Sequence, residues 1–105
     1  MTDSISNTDL NNALQSDNPP SVFDVRKKPA FDSDPRMISN ATWQVFDAVE
    51  AWASDLSKDT PIVVYCVHGH EVSQSAARSL RDLGFKAQFL EGGIATWTEA
   101  GFEIA

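Results

Sequence analysis

Apolar residues along this chain fall into short blocks whose period switches between that of a strand and that of a helix. Val22-Phe23-Asp24-Val25 and Ile62-Val63-Val64-Tyr65 are nearly continuous runs. The second is β-branched and apolar on both faces, which predicts a central strand in a sheet covered on both sides. Ala87-Gln88-Phe89-Leu90 predicts a further strand ahead of the Gly92-Gly93 turn, and Met37-Ile38 a short one. Helical spacing appears between them. Leu10, Ala13 and Leu14 share a face of a helix from Thr8 to Gln15, capped by Ser6 or Asn7 and ended by Asp17-Asn18-Pro19-Pro20. Val45, Val49, Trp52 and Leu56, widened by Phe46 and Ala53, predict an amphipathic helix from about Thr42, its cap, to Leu56. Val72, Ala76, Leu80 and Leu83 predict a helix from Val72 to Leu83 that Gly84 stops. Ile94 to Ala100 reads as a last short helix broken by Gly101, and Lys27 to Pro35 as a loop. Strands alternating with helices predict an α/β fold: an open, mostly parallel sheet with helices on both faces.

A length of 105 residues and 42% apolar content fit one small folded domain spanning 1–105. No run approaches the roughly 18 apolar residues of a membrane helix. The start, Met1 to Leu10, is polar and mildly acidic, unlike a secretory signal, so a cytoplasmic protein is expected. A net charge of −7 argues against nucleic acid and against an anionic membrane as partner, because both need a basic face.

Cysteine usage changes the picture most. The chain has one cysteine, Cys66, so neither an internal disulfide nor a resolving thiol is available. A lone cysteine is ordinarily an inert, buried small hydrophobe. Here it closes the buried strand at Tyr65 and opens the loop Cys66-Val67-His68-Gly69-His70-Glu71 before a helix. Ligands of open α/β sheets bind beyond the carboxyl ends of the strands. The first turn of the next helix offers unpaired N–H groups and about half a positive charge, which favour a thiolate. Gly69 gives this loop the positive φ and close approach that an inward-turned set of amides requires. The loop by itself is equally compatible with a plain strand-to-helix connection around a buried thiol.

Several segments together resemble the rhodanese-like sulfurtransferases. They are Phe23-Asp24-Val25-Arg26, similar to that family's Asp-x-Arg, then Val63-Val64-Tyr65-Cys66 with Cys66-x-x-Gly69. Ala76-Ala77, Leu80, Leu83-Gly84-Phe85, and Leu90-Glu91-Gly92-Gly93 with Trp97 and Gly101 follow in order. The resemblance implies a rhodanese-like fold and a two-step transfer. Cys66 takes a sulfane sulfur from thiosulfate or another small donor as a persulfide, then passes it to a thiol, including a protein thiol, or to another nucleophile. It further implies that the loop Val67, His68, Gly69, His70, Glu71, Val72 and Ser73 cradles the donor and the persulfide, with no cofactor. Three positions depart from the family pattern. Glu71 stands where many members carry arginine. Val72 stands where many carry serine or threonine, with Ser73 one step later. Met37-Ile38-Ser39-Asn40-Ala41 replaces a segment resembling His-Ile-x-Gly-Ala.

Asp24 and Arg26 are expected to order loops beside the site rather than react. Cys66, His68 and His70 alternate and so could face one metal ion, but a fourth ligand is not evident and no metal is expected. His68 and His70 are expected at the rim. Trp43, Trp52 and Trp97 read as packing residues, and Asp32 and Asp34 as a solvated loop. A phosphatase or arsenate reductase on this framework needs an arginine closing the loop. Val72 holds that position, and the next arginine is Arg78. A non-catalytic or redox-sensing module that binds a protein partner is the alternative to the enzyme.

Overall fold

The computed structural model describes residues 3–105; Met1, where the polar N-terminal stretch begins, and Thr2 lie outside the described residues. Among the described residues the strands are β1 (Ser4–Ile5), β2 (Ser21–Asp24), β3 (Thr42–Trp43), β4 (Ile62–Tyr65) and β5 (Ala87–Leu90). The helices are α1 (Asn7–Leu14), α2 (Lys28–Ser33), α3 (Val49–Ala53), α4 (Glu71–Asp82) and α5 (Gly93–Glu99). All strand pairs are parallel, in the order β1-β5-β4-β2-β3. The open parallel sheet with helices on both faces is therefore as the hydrophobic pattern predicts. No helix among the described residues is long and apolar enough to cross a membrane.

β4 is central because every one of its side chains is buried. Successive side chains of a strand point to opposite faces, and β4 feeds two cores accordingly. Ile62 and Val64 pack with Val49, Ala53, Ala76, Ala77 and Leu80 of α3 and α4. Val63 and Tyr65 pack with Leu10 of α1 and with Ile94 and Trp97 of α5. The register Asp24↔Tyr65 then carries both chains out of the sheet at the same level, and the Val25 amide donates to the Tyr65 carbonyl at 2.9 Å. Arg26 and Cys66 thus emerge as neighbours beyond the carboxyl edge.

Four elements differ from the sequence-based expectations. The stripe from Thr42 to Leu56 is not one helix. Thr42 and Trp43 form β3, with Trp43 in register with Asp24, and the Gln44 amide donates to the Asp24 carbonyl at 2.9 Å. Only Val49–Ala53 is helical. The Trp52 indole N–H bonds the Val45 carbonyl at 2.8 Å and holds the turn, leaving Val45 41% exposed. Sheet pairing here overrides helical periodicity, as tertiary context does to any local preference. The expected loop after Lys27 contains α2, which starts with Pro29 in its first turn, where a missing N–H costs nothing. Met37-Ile38 is not a sheet strand: Ile38 makes an isolated antiparallel bridge with Ile104. β1, not anticipated, pairs its two residues with Phe89 and Leu90 at the sheet edge. Asn40 has φ 69°, so it takes the left-handed conformation at the place where the resembled segment has glycine. Asparagine tolerates that region better than most side chains.

A buried ion pair ties the segment around α2 to the sheet. The Arg26 Nε and Nη2 groups donate to the Asp24 carboxylate at 2.6–3.1 Å. Nη1 and Nη2 also donate to the carbonyls of Asp34 and Arg36 at 2.8 and 2.9 Å, respectively. Both side chains are almost fully enclosed. We expect Arg26→Met to lower stability by about 3–5 kcal/mol, because it strands a buried carboxylate. Urea unfolding measures this, and a loss below about 1 kcal/mol would show that Asp24 finds water or a proton instead.

Candidate functional site

The loop after β4 is held by its own carbonyls. The Ile94 amide donates to the Cys66 carbonyl and the Ala95 amide to the Val67 carbonyl, both at 3.0 Å. The Gln74 side-chain amide donates to the Gly69 carbonyl at 3.0 Å. In a trans peptide the next N–H points opposite to the carbonyl, so the Val67 and His68 amides face away from α5. The packing leaves no room for side chains at two glycines. A Cβ on Gly69 (φ 74°) would lie 2.7 Å from the Leu90 carbonyl oxygen and 2.8 Å from the Gly92 nitrogen. One on Gly93 (φ 63°) would lie 2.4 Å from both the Cys66 and Val67 oxygens.

Cys66 is a buried free thiol, 7% exposed, at the floor of a cleft of about 270 Å³. Its Sγ lies 3.1 Å from the Ser73 Oγ, within hydrogen-bond reach. Ser73 is fully buried in the first turn of α4. Side chains on a helix lean toward its N-terminus, so a serine at the third helical residue reaches back to the sulfur. No side chain caps α4: His70 occupies the cap position without a capping bond. The first N–H groups of a helix have no partner within it, and the first turn of α4 adjoins Cys66 through the Ser73 contact.

The cleft brings together most of the residues singled out in the sequence. Arg26, Val67, His68, His70, Glu71 and Val72 line it with Cys66. Gly69 and Ser73 are buried behind the wall, and Asp24 lies beneath, clamped to Arg26. His68 and His70 are exposed at the rim, their ring centroids 6.2 Å apart. Among the described residues no three His, Cys, Asp or Glu side chains converge as a metal-ligand set. Arg78 is exposed on α4 and does not line the cleft. Burial, and then the Asp24 carboxylate, push the Tyr65 phenol well above its ordinary range. It therefore stays a neutral strut, accepting the Ile38 amide at 3.1 Å.

Three contributors had escaped the sequence reading: Lys27 and Ala30 on the cleft wall, and Gln74 behind the loop. Lys27 and Ala30 sit in the segment read as a plain loop, and nothing local marks them. Gln74 carries no signal in the sequence.

A strand-end cysteine in a glycine-dependent loop at an uncapped helix is matched by sequence comparison. A model of the rhodanese-like domain fits residues 6–100. The chain belongs to the rhodanese-like domain family. Its relatives include the thiosulfate sulfurtransferase GlpE of Coxiella burnetii, 34% identical over 77 residues, covering 72% of this chain and 69% of that protein. A tRNA sulfurtransferase of Desulfurococcus amylolyticus is 46% identical over 50 residues, 48% of this chain and 10% of that protein. The structure of a rhodanese-related protein from Thermoplasma volcanium superposes with a TM-score of 0.83 at 28% identity, covering 99% of this chain and 98% of the other. A rhodanese-like domain protein from Staphylococcus aureus gives 0.81 at 26% identity, covering 99% of each. The segment from Cys66 to Ser73 is fastened to the start of α5 through the Ile94 and Ala95 amides.

Gly69→Val should cost about 1–3 kcal/mol in backbone strain alone, and its side chain would also press on Leu90 and Gly92. The unfolding midpoint in urea measures the cost. An unchanged midpoint would show that the loop moves aside freely.

Proposed function

We propose that this rhodanese-like chain is a sulfurtransferase that accepts a sulfane sulfur on Cys66 as a persulfide and passes it to a thiol or another nucleophile. The observation that carries this reading is the Cys66 sulfur itself, on the floor of an open cleft, 3.1 Å from the Ser73 hydroxyl and beside uncapped helix amides. Relatives named as sulfurtransferases support the same chemistry.

In the first step the Cys66 thiolate attacks the donor's outer sulfur. A new S–S bond forms, the donor's bond to that sulfur breaks, and the leaving group departs with the electron pair. With thiosulfate that group is sulfite. In the second step an acceptor thiolate attacks the outer sulfur of the Cys66 persulfide and leaves as a persulfide, restoring the Cys66 thiolate. Ser73 can donate its O–H to the sulfur whenever the sulfur is anionic. The amides of Val67 to Ser73 supply further donors to the charge that moves through the site. Having one cysteine suits this role, since the persulfide has no thiol in the chain with which to collapse. Asp24 and Arg26 hold the wall and take no part in bond making. Small sulfur donors and thiol acceptors, protein thiols included, are the partners this reading requires, and the reducing cytoplasm supplies such thiols.

The same cleft disfavours compact dianions. Glu71 stands on the wall in the first turn of α4, on a chain of net charge −7. Against it stand about half a positive charge at the helix end and the single charge of Lys27 on the same cleft, too little to neutralise both Glu71 and a dianion.

Incubation with polysulfide should add one sulfur atom to the wild-type mass and none to Cys66→Ser, which should remain folded. A wild-type protein that gains no sulfur from any donor would favour the non-catalytic module. Glu71→Arg should raise kcat/KM for thiosulfate roughly ten-fold, mainly through KM, with the gain shrinking as salt rises. Polysulfide should respond less. Steady-state kinetics at two ionic strengths decide this, and thiosulfate kinetics unchanged by Glu71→Arg would remove Glu71 from the donor's path.

A further inference from the structure

The charges at the rim of the cleft narrow the class of donor. Four of the chain's eight basic residues, Arg26, Lys27, Lys28 and Arg36, lie within one short segment beside Cys66. Three of them are already committed. Arg26 is clamped to Asp24, Lys28 lies 2.6 Å from Asp32, and Arg36 lies 2.7 Å from Asp34. Lys27 has no carboxylate in ion-pairing reach among the described residues; its ammonium lies over the Phe46 ring, 5.7 Å from the centroid. Glu71 likewise has no ion-pair partner among the described residues. Both line the same cleft without pairing to each other, and they share its wall with apolar Ala30, Val67 and Val72 and with His68 and His70 at the rim.

A cleft so arranged offers one site for an anion, one for a cation, an apolar wall and a sulfur at its floor. Its volume of about 270 Å³ is close to the lower end of small-molecule pockets, which begin at roughly 300 Å³. Thiosulfate would satisfy Lys27 and be repelled by Glu71. A plain alkyl persulfide would satisfy neither. We propose that the preferred donor is a small amino-acid-type persulfide whose stem bears both a carboxylate, held by Lys27, and an ammonium, held by Glu71. This deepens the sulfurtransferase reading and rests on it. The step balances without an oxidant: the Cys66 thiolate attacks the outer sulfur of R–S–SH, the donor S–S bond breaks, and R–S⁻ leaves. The outer sulfur keeps its proton and becomes the outer sulfur of Cys66–S–SH.

Four donors separate the two charges and the two sources of such a group. Cysteine persulfide carries both charges, cysteamine persulfide the ammonium alone and mercaptopropionate persulfide the carboxylate alone. The persulfide of N-acetylcysteine amide carries neither and mimics a cysteine within a protein. Sulfur loading of Cys66, followed by mass, gives kcat/KM for each donor with wild type, Lys27→Gln and Glu71→Gln. Lys27→Gln should lower the value about five-fold for the two carboxylate-bearing donors only, and Glu71→Gln about five-fold for the two ammonium-bearing donors only. That is the scale of one solvent-facing ion pair. Wild type should prefer cysteine persulfide over the blocked compound. Loading of all four donors without this crossed pattern would overturn the proposal and leave the sulfurtransferase reading standing. A wild-type preference for the blocked persulfide would overturn it in favour of a protein-borne donor. If no donor loads Cys66, both readings fall.

Discussion

The fastening of the Cys66 loop to the start of α5 is the constraint on which the rest of the site depends. Two hydrogen bonds from the Ile94 and Ala95 amides take up the carbonyls of Cys66 and Val67. A typical bond of this kind contributes a net ~1 kcal/mol, so its value here is mainly directional. With the carbonyls turned to α5, the following amides must turn away from it. Contacts this close are possible only because residues 69 and 93 have no side chains, and both hold positive φ. A carbonyl oxygen facing the sulfur would repel a negative charge there, and this interlock turns two carbonyls to α5 instead.

Electrostatics then follow from which charges are spent inside the fold. Arg26 has the position of a substrate-binding cation, yet its guanidinium is consumed by Asp24 and by the backbone of Asp34 and Arg36. A buried pair of this sort is weak evidence for stability, since desolvation offsets most of the attraction. What it does here is geometric: it joins β2 to the segment that follows α2. The Trp43 indole donates to the Arg26 carbonyl at 3.0 Å and adds β3 to the same knot. The wall of the cleft is therefore rigid and nearly neutral, and its free charges are left to exposed side chains at the mouth.

The sequence carried the parts of this architecture that local physics determines. β4 was legible because a β-branched run buried on both faces has few other uses, and α4 because its apolar positions keep helical spacing over three turns. Gly69 was legible because a tight anion-binding loop needs positive φ. The short pieces were not. β1 and β3 have two residues each and exist only through their partners, and Trp43 belongs to a helical stripe in sequence but to the sheet in space. α2 was hidden by prolines that read as loop. Lys27 could not be recognised as a cleft residue, because its place depends on β2 and β4 ending at the same level. Ser73 stands one position beyond the serine or threonine of many rhodanese-like loops, yet its hydroxyl meets the sulfur, since α4 begins at Glu71 and the serine leans back along the first turn.

That first turn also separates two roles the proposed sulfur transfer requires of one helix, contact with the sulfur and selection of its donor. At 3.6 residues per turn, side chains two positions apart lie about 200° around the helix axis. Ser73 is therefore directed into the buried side against Cys66, whereas Glu71 stands exposed at the mouth. A change at residue 71 alters the field met by an arriving donor and leaves the sulfur's own contact in place. Under the sulfurtransferase proposal, the Glu71 that stands where many rhodanese-like loops carry arginine would change the specificity and leave the reaction in place. The same geometry sets a limit. Ser73 is fully buried among the residues that pack α4 on the sheet, so a bulkier side chain there would displace the helix from the sheet. Within this turn the outward position is free of packing constraints, and the inward one is held by both the sulfur and the core.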